Sequence, residues 1–141
     1  MPTALSFRLT FHGSIALLAG LLCGLPTVIE TANGPMRFWH TAHEALILVG
    51  VWLWAASAIL PQLVLDGPKT RAYFWAHLGL CYGFSVALIL GAAGGFLAFE
   101  PSSEPLRLAA FIAAVIGILG ATTGASLALL GARAAAAGAA N

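Results

Sequence analysis

The chain of 141 residues is 60% hydrophobic and only 8% charged, with a mean hydropathy of +0.95. A soluble domain is about half apolar and about a quarter charged, so a fold dissolved in water is excluded and lipid must be the solvent. A formal net charge of +1 also excludes the basic footprint that nucleic acid requires.

The first apolar run extends from about Leu9 to Val28, with Arg8 before it and Thr31-Ala32-Asn33 after it, as in a cleaved secretory signal. It exceeds the roughly 7–15 residues of a signal core and reads as a retained span. The second run extends from about Trp39 to Leu65, the third from about Ala72 to Phe99 and the fourth from about Leu106 to Ala132. Each reaches the roughly 20 residues that an apolar helix needs to cross a bilayer. Inside lipid every backbone N–H and C=O needs a partner within the protein, so these runs predict helices.

Glu30 to Arg37, Asp66 to Arg71 and Glu100 to Pro105 connect the runs and hold nearly all the charges and turn residues. Each connection contains proline, which starts a helix or makes a turn and is disfavoured inside one. Connections this short make neighbouring helices antiparallel. The predicted fold is all-α: a four-helix transmembrane bundle running up-down-up-down with short loops, one domain over residues 1–141. Arg8, Lys69, Arg71 and Arg133 fall at one end of it, Arg37 and Arg107 at the other. That bias predicts a multi-pass protein of the cytoplasmic (inner) membrane with both termini in the cytoplasm. The Ala/Gly-rich tail from Ala134 to Asn141 reads as a fraying continuation of the last helix.

Small residues recur at helical spacing, as Gly79, Gly83, Ala87, Gly91 and Gly95 in the third run and as Ala113, Gly117, Gly120, Gly124 and Gly131 in the fourth. The first run adds Gly20 and Gly24. Such stripes let helix backbones approach closely in lipid; they predict packing within the chain, with a subunit interface as the alternative for one of them. Cys23 and Cys81 lie inside apolar runs and read as small buried hydrophobes rather than as a disulfide or a zinc site.

The chemistry concentrates in Arg37-Phe38-Trp39-His40-Thr41-Ala42-His43-Glu44, where the second run begins. Ionisable groups inside spans are expensive and mark function by default. His40, beside Trp39, reads as an interfacial ring. His43 lies one turn deeper on roughly the same face and is followed, after Glu44, by an apolar stretch up to Gly50. Neutral imidazole is the commonest metal ligand, and within a membrane it suits haem iron. Arg37 and Arg107, near the same boundary, are candidates to pair with haem propionates. Without a Cys-x-x-Cys-His motif such a haem would be non-covalent. His12 and His77 lie about 6–9 Å along their helices from the nearest basic residue. They read as headgroup-level rings or caps on neighbouring carbonyls, with a bis-histidine electron-transfer haem as the alternative. Trp52 and Trp54 are deep enough to line a ligand cavity. There is no GxSxG, HExxH or phosphate-loop motif to support a hydrolase.

His12-Gly13, Ala42-His43 followed by Gly50, Leu60-Pro61, and Phe74-Trp75 through Tyr82-Gly83 add an order and a spacing. In these motifs, and over nearly its whole length, the chain resembles the styrene oxide isomerases and the related hydroxylaminobenzene mutases. The resemblance implies a haem b held between the subunits of a trimer, with His43 on the iron. It implies that the ferric iron acts as a Lewis acid on an epoxide oxygen and that a hydride shift gives an aldehyde. The implied substrate is a small apolar epoxide or hydroxylamine-type molecule. Val49 stands where the family has Asn, and Tyr82-Gly83-Phe84 where it has Trp-Ala-Asn or Tyr-Ala-Asn. The family's pocket Asp and Tyr fall near Leu80 and Leu88. Tyr82 is therefore the candidate catalytic group, with His77 as a second source of polarity. The alternative is a non-catalytic membrane subunit or assembly partner of a larger complex.

Overall fold

The computed structural model describes residues 2–28 and 37–139. The connection from Glu30 to Met36, with Thr31-Ala32-Asn33, lies outside them. Helices α1 (Pro2–Gly24), α2 (Arg37–Ile59), α3 (Gly67–Gly94) and α4 (Pro105–Ala139) make up the fold, with single 3-10 turns at Pro26–Val28 and Leu60–Gln62. All four helices are long and apolar enough to cross a membrane, and among the described residues there is no strand.

The helix ends differ from the apolar runs for local reasons. α1 starts well before Leu9 because its first turns have something to pack on. Leu5 and Leu9 join a cluster with Ala56, Leu60, Tyr73 and Phe74. α2 stops before Leu65 because Pro61 turns the chain through the 3-10 segment. α3 starts before Ala72 because Asp66 caps it, its carboxylate accepting from the Lys69 N–H at 2.8 Å, with proline in the first turn. It stops at Gly94, short of Phe99, because Gly95 takes the left-handed conformation, φ 68°. The Phe96 N–H then reaches back to the Gly91 carbonyl at 3.0 Å, which closes the helix end. α4 has 35 residues, about 52 Å at the helical rise, and so outreaches a hydrocarbon layer about 30 Å thick.

Glycine contacts set the packing. A Cβ on Gly13 would meet the Gly50 carbonyl at 3.0 Å, one on Gly20 the Ile47 nitrogen at 2.9 Å, and one on Gly24 the His43 ring at 2.7 Å. As numbers rise along α1 they fall along α2, so the two are antiparallel. On the other side a Cβ on Gly83 would meet Gly117 N at 2.5 Å, and Gly120 and Gly124 similarly meet Ala76 and His77. α3 and α4 are therefore antiparallel too. The Tyr73 hydroxyl donates to the Ala56 carbonyl at 3.2 Å, which ties α3 to α2. The small-residue stripes are thus spent inside the chain.

The bundle is not closed. α4 packs on α3 and the second 3-10 turn, without a close approach to α1 or α2. A groove is left between α2 and α4, with α3 as its floor. Phe7, Leu18, Leu48, Trp75, Leu119 and Leu129 are more than half exposed, as a lipid-facing surface requires. Cys23 and Cys81 are buried free thiols.

Candidate functional site

His43 sits where α2 packs against the last turns of α1. Its Nδ1 lies 2.8 Å from the Gly20 carbonyl on α1. A carbonyl only accepts, so Nδ1 carries the proton and donates, and the lone pair is on Nε2. This is the way in which a metal-binding imidazole is commonly held: one nitrogen anchored to a backbone oxygen, the other presented. The ring lies directly on Gly24, where a Cβ would be 2.7 Å from Nδ1 and 2.9 Å from Cε1. Among the described residues Nε2 has no hydrogen-bond partner, and no enclosed side-chain nitrogen or oxygen lacks one. The free nitrogen is therefore not enclosed by the described residues. Below the ring, Ala42 and Leu46 are fully buried with Cys23 and Ala92, so the helix face carrying His43 is fixed on its inner side.

The neighbouring polar groups divide into paired and unpaired. His40 stacks loosely on His43, with ring centroids 6.4 Å apart, and meets the Glu44 carboxylate at 3.4 Å. Both partners are at least half exposed, so this contact adds little stability. The Arg37 guanidinium lies over the Phe38 ring, 4.6 Å from its centroid. Arg107 is already engaged, 2.9 Å from Glu104 and above Phe96. Phe38 and Phe96 line one small cleft, which brings the two arginines to the same end of the bundle.

Tyr82 does not join this group. Its hydroxyl is 2.7 Å from His12 Nδ1, between α3 and α1. His12 lies 8 residues before Gly20, so the pair is about 12 Å from the His43 level along α1. The hydroxyl has no direct reach to His43 within one chain. His12 and His77 are not brought together either. His12 is edge-on to Phe74 and Tyr82, while His77 bonds the Tyr73 carbonyl and rests on Gly124 of α4. Trp54 donates to Thr10 and Ser14 on α1, whereas Trp52 lines the groove between α2 and α4.

Of the positions at which the sequence departs from its resemblance, Val49 and Leu80 are core positions, whereas Phe84 and Leu88 are partly buried and Tyr82 is exposed. Val49 is 8% and Leu80 5% exposed, packed together with Ala16, Leu53 and Cys81. The anchoring role of Gly20 and Gly24 is missing from the sequence reading. Their spacing marks a close helix approach, but which side chain fills the gap depends on the register with α2.

Among the described residues no three His, Cys, Asp or Glu side chains cluster as a metal site. A lone imidazole is too little to hold a bare ion; it suits a metal whose other positions are already filled by a macrocycle. No curated protein and no solved structure matches the chain. The family model for styrene oxide isomerase matches residues 5–139, a stretch that takes in all four helices, and the chain belongs to the styrene oxide isomerase family.

Proposed function

We propose that the chain binds haem b through His43 Nε2 and, so loaded, isomerises a small apolar epoxide or hydroxylamine-type substrate. The observation that carries the reading is the 2.8 Å bond from His43 Nδ1 to Gly20, which leaves one oriented nitrogen open to the outside. Arg37 has no carboxylate partner among the described residues and would receive a propionate. Arg107 would do so only by leaving Glu104. Bound haem would supply a Lewis acid that polarises an epoxide oxygen without a proton transfer. The residues of the chain orient the imidazole, keep water from its inner side and offer an apolar surface to an aromatic substrate. The proposed assembly is a homotrimer in the inner membrane with both termini cytoplasmic, a second copy covering the open side of His43.

The experiment is the visible spectrum of detergent-purified protein, made with haem available. A Soret band present in the natural chain and lost in His43→Ala supports the reading. A colourless natural protein, or a band that survives His43→Ala, overturns it. Turnover of styrene oxide and phenylhydroxylamine tests the reaction separately. A second reading, a haem-binding or assembly subunit without turnover, is favoured by the burial of Val49 and Leu80 in an apolar core. It predicts no product, and a colourless preparation would leave it ahead.

A further inference from the structure

The imidazole of His77 has no part in the site built on His43, yet it is the more deeply buried of the two, at 3% exposure. Its Nδ1 lies 2.8 Å from the Tyr73 carbonyl, which only accepts, so Nδ1 bears the proton and Nε2 the lone pair. Among the described residues Nε2 has no hydrogen-bond partner, and no enclosed side-chain nitrogen or oxygen is left without one. The nitrogen therefore opens onto the space that His77 lines. That space is the groove between α2 and α4, about 220 Å³, with Trp52 and Ala55 on one wall and Ala125 on the other.

The placement of the ring is built in. A Cβ on Gly124 would stand 2.6 Å from His77 Cε1, so the glycine is what admits the imidazole between α3 and α4. The Tyr73 ring lies against it with centroids 4.2 Å apart. The Tyr73 hydroxyl is committed to Ala56, which leaves His77 Nε2 as the polar atom facing an otherwise apolar groove. An acceptor with no donor in such surroundings is unfavourable. An enclosed apolar cavity of about 150 Å³ already takes benzene, so this groove admits a single ring, while a porphyrin is far too large. Since the backbones of α2 and α4 do not approach closely, the way in is sideways from the lipid.

We propose that this groove is a second small-molecule site, for a single-ring aromatic compound carrying one O–H or N–H donor, which lies against Trp52 and donates to His77 Nε2. It is separate from the haem reading and stands or falls without it.

The test uses the full chain in lipid nanodiscs, titrated with 4-fluorophenol and followed by fluorine NMR and by the ring-nitrogen resonances of labelled histidine. The expected result is saturable binding of one molecule per chain with a shift of the His77 Nε2 signal. 4-Fluoroanisole, which lacks the donor, should bind roughly three- to tenfold more weakly, the loss expected for one hydrogen bond. Ala125→Phe fills the groove from an exposed position of α4 and should abolish binding, with the melting temperature unchanged. His43→Ala should leave it intact. Uptake that matches empty nanodiscs, an unmoved Nε2 signal (water alone at the nitrogen), or undiminished binding in Ala125→Phe would each overturn the proposal. Binding lost in His43→Ala would place the ligand elsewhere and overturn it as well.

Discussion

A methyl group added at Gly24 separates the anchoring of His43 from the stability of the bundle. The new Cβ would sit 2.7 Å from Nδ1 and 2.9 Å from Cε1 of the imidazole, inside the contact limit, so the ring must swing away. The bond from Nδ1 to the Gly20 carbonyl goes with it, a loss of about 0.5–1.5 kcal/mol. Against this, alanine is favoured over glycine in a helix by up to about 1 kcal/mol, and Gly24 is the last residue of α1. The two effects nearly cancel in folding stability. Under the proposed haem binding they would not cancel in haem affinity, because a ligand histidine deprived of its orienting partner typically loses about ten- to a hundredfold. Gly20→Ala is the contrast: its Cβ meets the backbone nitrogen of Ile47 at 2.9 Å, so α1 and α2 must separate, and stability and affinity should fall together. Haem titration by Soret absorbance beside thermal unfolding in the same detergent reads both quantities. Unaltered haem affinity in a folded Gly24→Ala protein would refute the claim that the Gly20 carbonyl presents His43 to iron.

Other variants probe the remaining contacts. Gly120→Ala would press a methyl onto the Ala76 carbonyl and the Leu80 nitrogen and should destabilise the α3–α4 pair by about 1–3 kcal/mol. Gly79→Ala, with nothing nearer than 3.8 Å, should be neutral or slightly stabilising; unfolding in mixed detergent compares them. Tyr82→Phe removes the 2.7 Å contact with His12 and should cost about 0.5–1.5 kcal/mol without changing the Soret band. Turnover retained in that variant would remove Tyr82 from the reaction. The Lys69 side chain and the Lys69 N–H hold the Asp66 carboxyl below its usual range. The stability this carboxylate adds at the head of α3 is present above the unfolded value, about 3.9, and is lost as pH falls through the lower folded one. Asp66→Asn keeps a cap acceptor and should flatten that part of the acid dependence of the melting temperature.

The fold is legible because membrane solvent leaves few options. Four runs that must satisfy their own backbones become helices, and the glycines of α3 and α4 meet one another as their spacing implies. Helix ends were less legible, since they depend on features that carry no hydrophobic signal, such as the Asp66 cap and the left-handed Gly95. The open side between α2 and α4 was not legible at all: four antiparallel apolar helices are equally consistent with a closed bundle. What opens it is that α4 uses its glycines on α3 and, through Gly131, on Leu63 and Leu65 beyond the second 3-10 turn, and a sequence lists the small residues without their partners. His43 stands out because a histidine inside an apolar span is costly. That its Nδ1 would find Gly20 required the register of two helices.

The reaction is less legible than the fold, for a reason visible in the core. A polar group guides an oxygen only from the wall of a cavity, and Val49 and Leu80 are instead sealed between helices with Ala16, Leu53 and Cys81. Leu88 reaches a cleft with Phe38 and Phe96, but that cleft holds about 30 Å³, room for a water or two and not for an aromatic ring. A substrate taken up under the haem reading therefore cannot be seated on the positions where the family pattern places its Asn, Asp and Tyr. It must be held on the open side of His43, between the iron and whatever covers that side. Tyr82, about 12 Å distant along the helix and tied to His12, would not orient the substrate oxygen within one chain, and selectivity would fall to the shape of the covering surface. Substitutions at Val49 should accordingly change stability and leave substrate preference alone.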